Sequence, residues 1–276
     1  MDPITLEGSQ VHAVSPEGQT ATMTIDALLE EVNRRRMTSR GIILPDGIKY
    51  LDSKGPTTIW VHETPPRVYN FKWIAGDSPA RYGPATEYRM VRISLPYLVV
   101  LAAFEGDMLS PQNECFFRKG PLTDETDELF YPALLNCSKF TPQEGKPLSW
   151  ICTAKMNPEH IARCRDSKQR MRAGFEVLMK CLLESGFNYS SEEHEGSSWF
   201  TESTGVDRRV ATVESWEKAT EEDPLFVLDV AWLATGMSLR QVIDRMYAYR
   251  GIPDGEALGV SDVMRMMFNR RRRKPK

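Results

Sequence analysis

The sequence predicts an α+β protein whose strands and helices are segregated along the chain. Between Ile42 and Phe104 the apolar residues recur at period two, the spacing of a half-buried strand. Beyond Asn157 the period becomes 3.6, the spacing of an amphipathic helix. Segregation of the two periods, rather than regular alternation, is the pattern of α+β proteins. The expected architecture is an N-terminal antiparallel meander sheet, a loop bearing a cysteine, and helices packed on the sheet, with a largely helical C-terminal half.

The elements follow in order. Val11–Ser15 reads as a strand ending in a turn at Pro16-Glu17-Gly18. Thr24 is placed to cap a helix that carries Asp26, then Leu28, Leu29 and Val32 on one stripe, with Arg34, Arg35 and Arg36 in its last turn. Ile42–Leu44 and Ile48–Leu51 are short strands around Pro45-Asp46-Gly47, a tight-turn order. Thr57–His62 and Arg67–Trp73 alternate at period two on either side of Glu63–Pro66, which predicts a hairpin. After a loop over Ala75–Ala85, Met90–Ser94 and Tyr97–Phe104 are two more strands, the second apolar enough for burial on both faces. Together these make a meander of at least four strands. Glu105–Asp127 reads as loop, with a brief strand at Glu114–Phe117.

Asn157-Pro158 opens the helical part. A helix covers Met171–Leu183, with Phe175, Leu178, Met179, Leu182 and Leu183 apolar, and Gly186 stops it. Ser190–Gly205 is a polar loop in which Trp199 and Phe200 offer an apolar anchor. Helices are expected over Thr212–Glu222, Pro224–Thr235 and Leu239–Arg250, with Gly236 as the break and Ser238 as the new cap. A last helix, Ser261–Asn269, carries Val263, Met264, Met267 and Phe268. The expected division is a strand-and-helix extension over 1–41, an α+β domain over 42–250 with insertions at 105–127, 137–149 and 187–209, and a helix with a basic tail over 251–276.

Composition narrows the class. The chain has 276 residues, 41% hydrophobic and 26% charged, enough to bury a full core. No apolar run approaches the ~20 residues of a membrane span, and the first residues are acidic where a signal peptide is basic. A cytoplasmic protein without membrane contact is expected. The five cysteines stand at no metal-ligand spacing, so reduced thiols and no metal site follow. Phosphate-cradling glycine motifs, His-Glu-x-x-His and Gly-x-Ser-x-Gly do not occur, and no cofactor is expected. Arg270–Arg273, Lys274 and Lys276 crowd the last seven residues; without those six positive charges the formal charge falls from -3 to -9. An acidic body repels nucleic acid, so any weak contact of that kind would run through the Arg270–Lys276 tail. The plainer reading of the tail is a solvated charge run.

The chemistry-bearing stretch runs from Asp127–Phe140 through a turn-rich insert to Leu148–Ala154. Cys152 follows Trp150 and Ile151, with Tyr131, Pro132 and Asn136 upstream. A cysteine at the end of a short strand, facing an asparagine on the incoming loop, suits thioester chemistry, in which the sulfur attacks and the amide steadies the oxyanion. A cysteine that follows an aromatic and an aliphatic residue is more often a small buried hydrophobe than a nucleophile, and Asn136 reads also as a plain turn former. His160, eight positions after Cys152, is placed either to orient the thiol or simply on the surface.

The order of Ile43-Leu44-Pro45, Ile59-Trp60-Val61, Pro65-Pro66-Arg67-Val68, a strand pair, Leu129-Phe130-Tyr131-Pro132, Asn136 and Ile151-Cys152-Thr153 resembles bacterial proteins of the ubiquitin-conjugating-enzyme superfamily. Within it, the prokaryotic branch called family D, which includes proteins of the ParB-related, ThiF-related cassette, is the most similar. The resemblance covers roughly Thr22 to Ala154, with an echo at Val213–Glu217. It implies a ubiquitin-conjugating-enzyme (UBC)-like fold, Cys152 as the acceptor cysteine, and Asn136 near the place of the asparagine of the His-Pro-Asn motif. Tyr131-Pro132 stands nearest the place of the missing histidine, and the insert Cys137–Ser149 lengthens the interval to the cysteine. The implied activity is that of a thioester carrier taking a small ubiquitin-like protein from a ThiF-like activating enzyme. The alternative is a non-catalytic scaffold or interaction module of the same cassette.

Overall fold

The computed structural model describes residues 4–15, 18–28, 44–74, 88–134, 136–140, 146–153, 156, 159–184, 187–188, 197–198, 200, 203 and 205–251. The chain divides into two compact units, one made of residues 1–43 with 254–276 and the other of residues 44–253.

In the smaller unit, β1 (Ile4–Glu7), β2 (Gln10–Val14) and β3 (Thr20–Thr24) form an antiparallel meander. Alternation along β2 and β3 turns Val11, Ala13, Ala21 and Met23 inward, where Ile4, Ile25 and Leu28 pack on them. The Thr24 hydroxyl accepts the Ala27 N–H at 3.1 Å, the cap read from the sequence. The rest of that helix, the strand expected over 42–44 apart from Leu44, and the helix expected over 261–269 lie outside the described residues.

The larger unit begins with β4 (Ile48–Lys54), β5 (Thr57–Thr64), β6 (Arg67–Ile74), β7 (Arg89–Leu95) and β8 (Tyr97–Glu105). The expected hairpin of 57–62 with 67–73 is not formed. Instead β5 pairs with β8, Thr64 opposite Leu98, while β6 pairs with β7, Arg67 opposite Leu95. One register therefore runs through both pairs, and the four strands are a single long ribbon bent where Pro65, Pro66 and Pro96 sit. Proline has no N–H for a ladder, so the ribbon parts there and its two arms enter different sheets. The true hairpin is β4 with β5, across Gly55 at φ +59°. The Pro45–Gly47 turn precedes it, and Gly47 is obligatory: its φ is +85° and a Cβ would lie 2.6 Å from His62 Nε2.

Sheet continues beyond the meander, and the brief strand read at Glu114–Phe117 is present. The segment 105–127 contains β9 (Met108–Leu109) and β10 (Glu114–Arg118), followed by β11 (Glu128–Phe130), β12 (Cys137–Phe140) and β13 (Leu148–Ile151). Further on come β14 (Phe187–Asn188), β15 (Ser197–Ser198) and β16 (Ala234–Ser238). Ten strands form one sheet along the path β15-β12-β13-β10-β8-β5-β4, with β11 linking β10 to β16 and β9 on β8; β14, β6 and β7 form another. The helices are α1 (Glu159–Ala162), α2 (Ser167–Glu184), α3 (Val213–Glu222) and α4 (Leu239–Tyr249), with a 3₁₀ turn at Phe226–Leu228.

This sheet-dominated architecture overturns the UBC-like α+β fold and the helical C-terminal half. The helix expected over Pro224–Thr235 shows why. Gly236 sits at φ +59°, the Thr235 hydroxyl donates to the Leu129 carbonyl at 2.8 Å, and β16 pairs with β11. Ladder partners elsewhere in the chain override the local period.

α2 lies on the sheet through Phe175, whose ring centroid is 6.0 Å from Trp60 and 5.1 Å from His62. Gly174 lets the helix approach Phe104 and Leu109, which a Cβ would meet at 3.5 and 3.2 Å. α3 docks on β7 by Trp216, whose indole N–H donates to the Ser94 carbonyl at 3.0 Å. Capping boxes at Thr212 and Ser238 start α3 and α4, the second at the cap read from the sequence.

Candidate functional site

Cys152 and Asn136 come together. Cys137 pairs with Ile151 in the β12–β13 ladder, and the Cys152 N–H donates to the Asn136 carbonyl at 2.9 Å, so the next rung sets these two residues opposite each other. Cross-strand partners share a face. The Asn136 side-chain amide donates to the carbonyls of Leu182, at 2.6 Å, and Cys181, at 3.3 Å, in the last turn of α2. Carbonyls in the last turn of a helix are open to side-chain donors, so the amide acts as a side-chain cap joining strand to helix. Cys181 completes the joint, its thiol donating to the Cys152 carbonyl at 3.3 Å. Cys152 is half-buried, whereas Asn136 and Cys181 are buried.

The other expected site residues lie around this joint in different roles. Tyr131 is buried; its hydroxyl donates to the Pro147 carbonyl at 3.0 Å and its N–H to the Leu233 carbonyl at 2.8 Å, which pins the strand β11 to its surroundings. His160 is exposed on α1, and its carbonyl accepts the Cys164 thiol at 3.4 Å. The amide that carrier chemistry would aim at an oxyanion thus holds helix carbonyls. Among the described residues no cluster could hold a metal ion, and no helix is long and apolar enough to cross a membrane. The Arg270–Lys276 tail lies outside the described residues.

A second constellation, not read from the sequence, stands on the same strands. Phe140 on β12 meets Trp150 on β13 edge-on at 6.0 Å and Tyr249 of α4 edge-on at 6.4 Å. Phe140 and Tyr249 are 38% and 44% exposed, high for adjoining aromatic rings. Beside them a shallow groove opens between Leu148, Trp150, Met246, Tyr249 and Arg250, with Glu114 at its floor. Its volume is about 20 Å³, room for one water and not for a small-molecule substrate.

Charged side chains fasten α4 under this face. Arg245 pairs with buried Glu114, which also accepts the Ser149 N–H at 3.1 Å. Arg250 donates to the Gln112 carbonyl at 2.7 Å and to Ser110 Oγ at 3.1 Å, and burial holds its pKa below the usual guanidinium range. Farther along the helix, Arg240 joins Asp244 and Asp52, and Tyr247 donates to Asp52 at 3.2 Å. Burial, then the Asp52 charge, pushes the Tyr247 pKa up, while the Arg240 hydrogen bond holds Asp244 below the usual carboxylate range. These groups are paired with one another and leave the aromatic rings as the outward feature.

Compared with family models, curated proteins and solved structures, the chain matches none.

Proposed function

We propose that the chain is a protein-interaction module that docks a folded partner on the Phe140–Trp150–Tyr249 face, with Cys152 as part of a structural joint. The observation that carries this reading is the exposed pair Phe140 and Tyr249, with half-buried Trp150 packed edge-on against Phe140, beside an apolar groove too small for a metabolite. Exposed aromatic residues with a neighbouring arginine are the composition of interface hot spots. The sequence resemblance supplies the partner class: a ThiF-like activating enzyme and its small ubiquitin-like protein, bound without a covalent step. The engagement of the Asn136 amide by Cys181 and Leu182 supports a non-covalent role.

Carrier chemistry is the second reading, favoured by the half-exposure of Cys152 at the end of β13. Titration of the chain with a purified ThiF-like enzyme and its ubiquitin-like protein, with and without ATP, separates the two. The module reading expects binding that Phe140→Ala with Tyr249→Ala weakens at least about tenfold, the scale of one hot-spot loss. It also expects Cys152→Ser to bind as the unaltered chain does, with no reductant-sensitive adduct. An adduct lost in Cys152→Ala, or binding indifferent to the aromatic substitutions, would overturn it.

A further inference from the structure

We propose that Cys152 and Cys181 are a peroxide-responsive thiol pair that closes into a disulfide between the end of β13 and the last turn of α2. The inference goes beyond the interaction-module reading and stands independently of it. Three contacts hold the two residues together: the Cys181 thiol on the Cys152 carbonyl at 3.3 Å, the Cys152 N–H on the Asn136 carbonyl at 2.9 Å, and the Asn136 amide on the Cys181 carbonyl at 3.3 Å. A bridge needs Cα atoms within about 7 Å, a separation that a direct sulfur-to-carbonyl contact accommodates.

Direction favours this pair over the neighbouring thiol. Successive strand residues face opposite ways. Cys137 shares the face of its partner Ile151, whereas Cys152 shares the face of Asn136, whose side chain reaches α2. Of the remaining cysteines, Cys115 lies buried on β10, and the Cys164 thiol is hydrogen-bonded within its own segment to His160.

The exposures divide the labour. Half-buried Cys152 can meet a small oxidant, while Cys181, 6% exposed, is shielded from solvent but adjacent. The Cys152 thiolate attacks one oxygen of hydrogen peroxide, the O–O bond breaks, and hydroxide leaves and takes up the thiol proton as water. The resulting sulfenic acid is attacked by the Cys181 sulfur; the S–O bond breaks, and the hydroxide leaves with the Cys181 proton as a second water. Two thiols are oxidised to one disulfide, and one peroxide is reduced to two waters.

The experiment treats the whole chain with hydrogen peroxide, removes the excess, unfolds and alkylates the protein, and maps peptides by mass. The expected result is loss of two of the five alkylatable thiols, with a crosslinked peptide joining Cys152 to Cys181 that dithiothreitol separates. In Cys181→Ala, dimedone should trap a sulfenic acid on Cys152, and in Cys152→Ser, Cys181 should stay alkylatable. The unaltered chain decides the matter even where a variant folds poorly. Five alkylatable thiols after treatment, or a bridge to Cys137, Cys164 or a second molecule, would overturn the proposal.

Discussion

Two of the joints that fasten helices to the ten-stranded sheet use opposite chemistry. At the end of β13, neutral groups do the fastening: the Asn136 amide and the Cys181 thiol bridge strand and helix through backbone carbonyls. On the neighbouring strand β10, the fastening is ionic: Glu114, 4% exposed, pairs with Arg245 of α4 and takes the Ser149 N–H. A neutral hydrogen bond contributes about 1 kcal/mol net, whereas a charge left buried without its partner costs about 3–5 kcal/mol. The ionic joint is therefore the harder to break and the neutral one the easier to remodel. A joint that can be remodelled is where a thiol pair has use.

The largest effect should come from the ionic joint. Arg245→Met leaves Glu114 without its counter-charge and is expected to lower the unfolding free energy by about 3–5 kcal/mol in urea titrations. A loss below about 1 kcal/mol would place the pair in solvent-like surroundings. Asn136→Ala removes the donors of two helix carbonyls and should cost about 1–3 kcal/mol by the same measurement. If the joints are separate, the double variant loses the sum of the two single losses within about 0.5 kcal/mol, and a larger departure would merge them into one network.

The face on which α2 rests carries a titratable group, which sharpens the contrast further. Burial, opposed only by smaller effects, holds the His62 pKa below its usual value near 6.5. Above that value both folded and unfolded chains hold the imidazole neutral. As pH falls below it the unfolded chain takes up a proton first, so stability declines from about pH 6.5 down to the folded pKa and then levels, by at most about 1.4 kcal/mol per pH unit. The lowered carboxylates Asp127, Asp207 and Asp244 lose their stabilisation only at still lower pH, below the usual carboxylate range. His62→Phe, which keeps a ring against Phe175, should flatten the decline between pH 6.5 and 5; an unchanged slope would assign it elsewhere. The smallest effect should be Ser238→Ala, which removes the α4 cap and should cost about 1 kcal/mol without changing the pH profile.

What was legible in the sequence was local. Thr24 and Ser238 announce their helix starts because a cap needs only a hydroxyl a few residues from the N–H it accepts. The strands of the bent ribbon were legible too, since burial imposes period two whichever strand is the partner. Their pairing was not: Pro65 and Pro66 looked like hairpin punctuation, yet with Pro96 they bend a ribbon whose closure lies between β6 and β7. The residues 224–235 misled for the same reason, as Thr235 and β16 answer to Leu129 and β11, about a hundred positions earlier. At the candidate site Asn136 and Cys152 were legible as a pair. Cys181 was hidden because a cysteine on the apolar stripe of a helix reads as core. Phe140, Trp150 and Tyr249 come from three elements and share no spacing that a sequence could display.

Read as a structural clasp rather than a waiting catalytic donor, the Asn136 amide has side-chain protons that report its role directly. Nuclear magnetic resonance of the uniformly labelled chain, following exchange of the Asn136 Nδ2 protons with solvent, is the measurement. Exchange is expected to be markedly slower than for an exposed asparagine, with faster exchange of the α2 C-terminal amides in Asn136→Ala. An Asn136 side chain exchanging as fast as an exposed asparagine would contradict it.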